Sequence, residues 1–137
     1  MRNTQLRVAR AFESPNVHDT LPIMDTNGDE QNQVVILYTT YPSIVEAERA
    51  GRVLVERRLC ACVNILPGMI SIYRWQDAVE RGEEAVMIVK TRASLAEKVG
   101  AAVKEMHSYT TPAILVVPVE SVDPDYHAWI VKETKEG

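Results

Sequence analysis

The run from Leu59 to Trp75, LCACVNILPGMISIYRW, constrains the fold more than any other stretch of the chain. Val, Ile, Tyr and Trp suit a pleated, half-buried surface, so the run reads as strand. Pro67-Gly68 falls near its middle. Proline removes a ladder hydrogen bond and glycine permits a positive φ, so the pair predicts a bulge or bend between two strand segments. The expectation is one long, bent strand.

Upstream, Val34–Tyr41 is a continuous β-favouring run, as expected of a strand buried on both faces. Pro42 ends it, and Ser43 with Glu46 forms a capping box for a helix. Along that helix Ile44, Ala47, Gly51 and Leu54 recur at helical spacing, leaving Glu46, Glu48, Arg49 and Arg52 mostly toward solvent. After the bent strand, Gln76–Glu84 reads as a polar connection within a long hairpin, and Ala85–Thr91 as the return strand. Ser94 and Glu97 form a second capping box, followed by Leu95, Val99, Ala102 and Met106 on one face of a second helix. Ala113–Val119 is a fourth strand whose Pro118 places it at an edge or an ending. Asp123 as N-cap and Pro124 as first helical residue open a terminal helix carrying Tyr126, Trp129 and Ile130.

The order is strand, helix, strand, strand, helix, strand, then one more helix. It predicts an α+β, ferredoxin-like βαββαβ domain over residues 34–137, with a long bent hairpin and an extra C-terminal helix. Residues 1–33 lack any sustained period and contain the breaker clusters Ser14-Pro15-Asn16 and Asp25–Glu30, so they read as a disordered tail, which includes His18.

Bulk properties bound the function. The 137 residues suffice for one domain with its own core. A net charge of −4 offers no footprint for nucleic acid or an anionic membrane surface, and no apolar run is long enough for a membrane-spanning helix. Cys60 and Cys62, two apart on an expected strand, would share a face, where a disulfide would distort the extended backbone. Free thiols suit a reducing compartment, and the expected location is the cytoplasm.

The candidate chemistry is sparse. Cys60 and Cys62 are soft ligands suited to copper(I) or zinc, but two ligands do not complete a site, and small apolar packing residues is the plainer reading. His107, in Met106-His107-Ser108-Tyr109-Thr110-Thr111-Pro112, is either a functional loop residue or a partner for a helix C-terminus. Met69, Tyr73 and Trp75 share one face of the bent strand and Ile70 and Ile72 the other, the pattern of an interface. Lys90 ends a buried-looking strand, where an ammonium snorkels to solvent or pairs with a carboxylate. Walker-A, Gly-x-Gly-x-x-Gly, His-Glu-x-x-His and Gly-x-Ser-x-Gly motifs are all absent from the sequence.

Leu54–Gly68, then Ser71-Ile72-Tyr73-Arg74-Trp75, then Ile88-Val89-Lys90-Thr91, together resemble the CutA divalent-cation tolerance family, over about residues 34 to 131. Pro118, Tyr126 and Trp129 also fit its pattern. The resemblance implies a non-enzymatic, ferredoxin-like homotrimer in which the hairpin reaches across to neighbouring subunits. It implies a role in copper or other divalent-metal tolerance, with a metal ion or small ligand held at clefts between subunits and no required cofactor. The matching cleft positions are Tyr73, Trp75, Lys90 and Tyr109 for a ligand, with Cys62 and His107 as metal ligands. Thr110 and Ala113 replace acids common in the family, which removes hard oxygen ligands and favours a soft ion such as copper(I). The other reading is a regulatory or scaffold trimer, architecturally like the PII signalling proteins, that senses a metabolite or binds a protein partner.

Overall fold

The computed structural model describes residues 30–136. Most of the expected tail, residues 1–29 with His18, lies outside the described residues. At its end, Asn32 and Gln33 are bonded to the domain: Arg92 Nη1 donates to Asn32 Oδ1 at 2.9 Å and Ala93 N to Gln33 O at 2.7 Å.

Four strands and three helices follow in the order foreseen: β1 (Val34–Tyr41), α1 (Ile44–Glu56), β2 (Cys62–Trp75), β3 (Ala78–Arg92), α2 (Ala96–Met106), β4 (Ile114–Pro118) and α3 (Pro124–Glu133). The sheet is antiparallel in the order β2-β3-β1-β4, which leaves β2 and β4 as its edges. This is the ferredoxin-like arrangement. Side chains alternate across it. Val35, Leu37, Tyr41, Ala85, Met87 and Val89 face α1 and α2 and form the core with Ala47, Leu54 and Val99. Lys90 and Arg92, of opposite parity on β3, lie on the other face, where α3 covers one end through Lys90–Tyr126 and Arg92–Thr134 contacts. The rest of that face carries Leu66, Leu115 and Val117, each about half exposed.

The bend in β2 is a bulge. Leu66 pairs with Val86 and Met69 with Glu84, so Pro67 and Gly68 together oppose Ala85, and Gly68 takes φ 73°. Beyond the bulge, Met69, Ser71, Tyr73 and Trp75 share one face and Ile70 and Ile72 the other.

Three local expectations are corrected. Gln76–Glu84 is not a polar connection: the turn is Gln76-Asp77 alone, with φ 48° and 66°, and β3 starts at Ala78. Two consecutive left-handed residues close a two-residue hairpin whose twist matches its strands, and such turns are usually marked by Asn-Gly or Asp-Gly. Ser94 does not cap α2. A 3₁₀ turn over Ala93–Leu95 precedes that helix, Leu95 stands at the N-cap without a side-chain bond, and the buried Ser94 hydroxyl has no partner. Cys60 lies before β2 rather than in it and packs in the core, whereas Cys62 pairs with Lys90 and is half-buried, so the two thiols do not share a strand face. Both are free.

The terminal-helix cap forms as read, and the Ser43–Glu46 box forms only its Ser43 half. Ser43 Oγ accepts from Glu46 N at 3.2 Å, and Asp123 Oδ2 accepts from Asp125 N and Tyr126 N, each at 3.1 Å. The Glu46 side chain does not reach back to Ser43, and its destination matters for the site below.

Candidate functional site

The loop after α2 and the strand β3 place the candidate residues in two groups. The first is built around His107, whose side chain is fully buried. Its ring stacks on Tyr41, with centroids 4.2 Å apart and planes 14° apart, and lies 4.9 Å from the Tyr109 ring. His107 Nε2 is 2.7 Å from Thr40 O, an acceptor, so it carries the proton; Nδ1 accepts from Tyr109 N at 3.0 Å. The two bonds define the neutral Nε2-H tautomer and occupy both ring nitrogens.

Two carboxylates flank this loop. Glu46, from the first turn of α1, accepts from Ser108 N at 3.1 Å and Ser108 Oγ at 3.0 Å, and lies 3.7 Å from His107 Nδ1. Glu84, from β3, accepts from Ser71 Oγ at 2.6 Å and from the Tyr109 hydroxyl at 3.1 Å. The loop is therefore tied to α1 at one end and to the foot of the hairpin at the other. Burial pushes the Tyr109 phenol up to about 12, helped by the Glu84 carboxylate it donates to. Burial does the same to Tyr41, whose pKa also rises to about 12 with the Glu46 charge adding to it. Both tyrosines are therefore neutral hydroxyls at physiological pH.

The second group lies on the α3-covered face. Lys90 Nζ donates to the Tyr126 hydroxyl at 3.3 Å and sits 5.6 Å from the centre of that ring. Tyr126 in turn stacks on Trp129 with centroids 5.6 Å apart. Cys62 is the β2 partner of Lys90, and its thiol reaches only Asn64 Oδ1, at 3.9 Å. Burial pushes the neighbouring Cys60 thiol up to about 12, with the Cys62 charge adding to the shift, so Cys60 is a poor source of thiolate.

The two groups do not merge within one chain. Cys62 is opposite Lys90 on one side of β3, and Thr40, which holds His107, is opposite Val86 on the other side. Four residues of strand separate the two positions by about 13 Å, and they lie two strands apart. Metal–ligand bonds of about 2 Å cannot bridge that gap. Among the described residues no three His, Cys, Asp or Glu side chains gather into a metal-holding cluster. Tyr73 lies near the first group, its ring close to Gly82 on β3, and Trp75 stands at the hairpin tip opposite Ala78. Reading the sequence did not single out Glu84, Glu46 or Ser71 for this loop. Glu84 was hidden in a supposed connection and Glu46 in a supposed reciprocal cap. A two-residue turn at Gln76-Asp77 would have put Glu84 opposite Met69 and diagonal to Ser71.

Comparison with known proteins places this arrangement in a group. The sequence profile described as CutA1 divalent ion tolerance protein matches residues 35–133. The divalent-cation tolerance protein CutA of Pyrococcus horikoshii is 37% identical over 103 residues, covering 75% of this chain and 100% of that protein. Its counterpart from Archaeoglobus fulgidus is 45% identical over 94 residues, covering 69% of this chain and 91% of the relative. Among solved structures, CutA from Xylella fastidiosa superposes with a TM-score of 0.74 at 36% identity, covering 75% of this chain and 99% of that one.

Proposed function

The chain belongs to the CutA1 divalent ion tolerance family, and from that premise we propose that it acts as a non-enzymatic homotrimer that binds copper or another divalent metal, or a small ligand, at clefts between copies in the cytoplasm. One observation carries the assembly. Pairing between β1 and β3 ends at Tyr41–Ala85, so Met69–Trp75 and Ala78–Glu84 run on as a bare two-stranded arm. Seven residues of strand project about 23 Å. Among its charged residues the arm exposes apolar side chains on both faces, with Ile72 73%, Val79 68% and Trp75 59% exposed. A lone two-stranded ribbon is marginal in water, and an apolar one needs a surface to cover it. A second copy supplies that surface. The open face with Leu66, Leu115 and Val117 supports the same reading, as do the unpaired edges of β2 and β4. So does a shallow groove of about 330 Å³ beside β2, lined by Gly51, Val55, Val63 and Ile65 together with Glu48, Arg52 and Glu56.

The arm also reconciles the scattered candidates. Tyr73 and Trp75 stand far from Lys90 in their own chain, and an arm reaching across brings them to a neighbour. A metal held by Cys62 and His107 then takes them from different copies, and His107 must give up its bond to Tyr109 N to offer Nδ1. The free thiols favour a reducing compartment.

Sedimentation equilibrium tests the assembly: the expected mass is three times 15.4 kDa, and Ile72→Asp yields smaller species. A wild-type monomer at micromolar concentration would refute it. Calorimetry of reduced protein with copper(I) and zinc tests the metal. Binding that is absent in wild type, or unchanged in both Cys62→Ala and His107→Ala, removes the metal site and leaves the small-ligand cleft.

A further inference from the structure

We infer that Asn32 and Gln33, the two residues leading into β1, form a strap that sets how firmly α3 docks on the sheet. α3 is the element with most need of one. It has ten residues, too few for a stable helix in water without packing, and Ile130 alone of them is buried. What holds the rest is largely polar. At the C-terminal end Arg58 Nη2 donates to Lys132 O at 2.7 Å and Lys135 N to Arg58 O at 2.8 Å. Near the N-terminal end His127 Nε2 is 2.7 Å from Asn32 O, an acceptor, so it carries the proton and ties α3 to the strap. The strap is in turn fastened to the sheet. Arg92 Nη1 donates to Asn32 Oδ1 at 2.9 Å, Ala93 N to Gln33 O at 2.7 Å, and Gln33 Nε2 to Val119 O at 3.4 Å.

Arg92 is the hub. It is buried, and its Nη2 donates to Thr134 O at 3.4 Å and to Lys135 O. One guanidinium thereby joins the chain entering β1 to the chain leaving α3. Hydrogen bonds from a charged donor are about twice as strong as neutral ones, so Arg92 is the strap's firmer hold, and His127 is the link through which it reaches α3. Every one of these bonds lies within one chain and needs no second copy. The CutA1 profile matches residues 35–133, so Asn32 and Gln33 precede the matched segment, whereas Arg92 and His127 lie inside it. Tyr126, next to His127, is the partner of Lys90, so slackening α3 slackens that pair. Any effect on clefts between copies rests on the function proposed above; the strap itself does not.

Hydrogen–deuterium exchange of the full-length protein without added ligand tests the strap, read by mass spectrometry over α3, residues 124–133, with α2, residues 96–106, as reference. Asn32→Ala cuts the tie to Arg92 and is expected to speed exchange in α3 by up to about tenfold, the worth of one hydrogen bond to a charged group, with α2 unchanged. Asn32→Asp keeps an acceptor for Arg92 and exchanges no faster than wild type. His127→Phe cuts the link to α3 and also speeds its exchange, and adding Asn32→Ala to it brings no further rise. An unchanged rate in Asn32→Ala, an equal rise in α2, an Asn32→Asp rise that matches Asn32→Ala, or additive effects of Asn32→Ala and His127→Phe overturns the proposal. Because the readout is taken without metal or ligand, loss of the metal site in the calorimetry above leaves this result standing.

Discussion

Gly51 lets α1 approach Val63 of β2 closely, and replacing it with alanine sets two effects of opposite sign against each other. A Cβ at this position would lie 2.7 Å from Val63 Cγ2 and 3.4 Å from Met87 Sδ. In an exposed helix Gly→Ala stabilises by about 1 kcal/mol. Here the added methyl must push a neighbour aside, and overpacking of this kind costs about 1–3 kcal/mol. Val63 is β-branched, so it cannot turn one methyl away without turning the other in. Met87 is fully buried in the core. The clash wins, and Gly51→Ala destabilises the wild type by about 1 kcal/mol, equivalent to roughly 4–8 °C in Tm for a domain of this size. In a Val63→Ala background the methyl at 2.7 Å is gone, and the Cβ of residue 63 at 3.6 Å and Met87 Sδ at 3.4 Å remain, both at ordinary contact distance. There the same substitution regains its helix-propensity benefit and stabilises by up to ~1 kcal/mol. The two sites are therefore coupled by about 2 kcal/mol, well beyond the scatter expected of independent positions. Urea denaturation of the four proteins at one fixed concentration measures this, since assembly makes stability concentration-dependent. Equal destabilisation in both backgrounds, or a stabilised single mutant, refutes the packing argument.

Ser43→Ala removes the cap of α1 and costs about 1 kcal/mol, whereas Ser94→Ala, which deletes a buried hydroxyl without a partner, is neutral or stabilising; the difference in urea midpoints separates the two serines. Tyr109 has a pKa raised from 10.0 to about 12, so its neutral form is favoured by folding. Its contribution is present in full below pH 10 and is lost as pH rises through about 12, with Tyr41 titrating in the same window; Tyr109→Phe makes the fall in urea midpoint over that window shallower. Brief alkylation of the native protein with iodoacetamide labels Cys62 and spares Cys60, whose thiol burial pushes up to about 12; fragmentation of the single tryptic peptide Leu59–Arg74 that holds both cysteines reads the ratio, and equal labelling would contradict the burial of Cys60.

What the sequence made legible is what local chemistry dictates. β1 stands at Val34–Tyr41 as read, because a continuous β-favouring run ended by Pro42 leaves few alternatives. The Pro67-Gly68 bulge and the Asp123-Pro124 helix start were equally plain, since each depends on backbone preferences carried by the residues themselves. The misreadings arose where a remote contact overrode a local signal. Ser94 and Glu97 have the spacing of a capping box, yet Ala93 N bonds to Gln33 O, and the chain enters α2 through a 3₁₀ turn. Gln76-Asp77 lacks the glycine that announces a two-residue turn, and the charged Glu80–Glu84 run looked like loop.

The candidate site was less legible than the fold because its carboxylates come from elements distant in sequence. Thr110 and Ala113 stand where the resemblance leads one to expect acids, so the loop after α2 reads as stripped of hard oxygen donors. In the folded chain Glu46 and Glu84 hold that loop from α1 and from β3, through Ser108 and Tyr109. Their oxygens are engaged by the loop's own hydroxyls and amide, so they brace it. A ligand that took Glu84 would compete with Ser71 and Tyr109 together, and releasing both would free the foot of the arm.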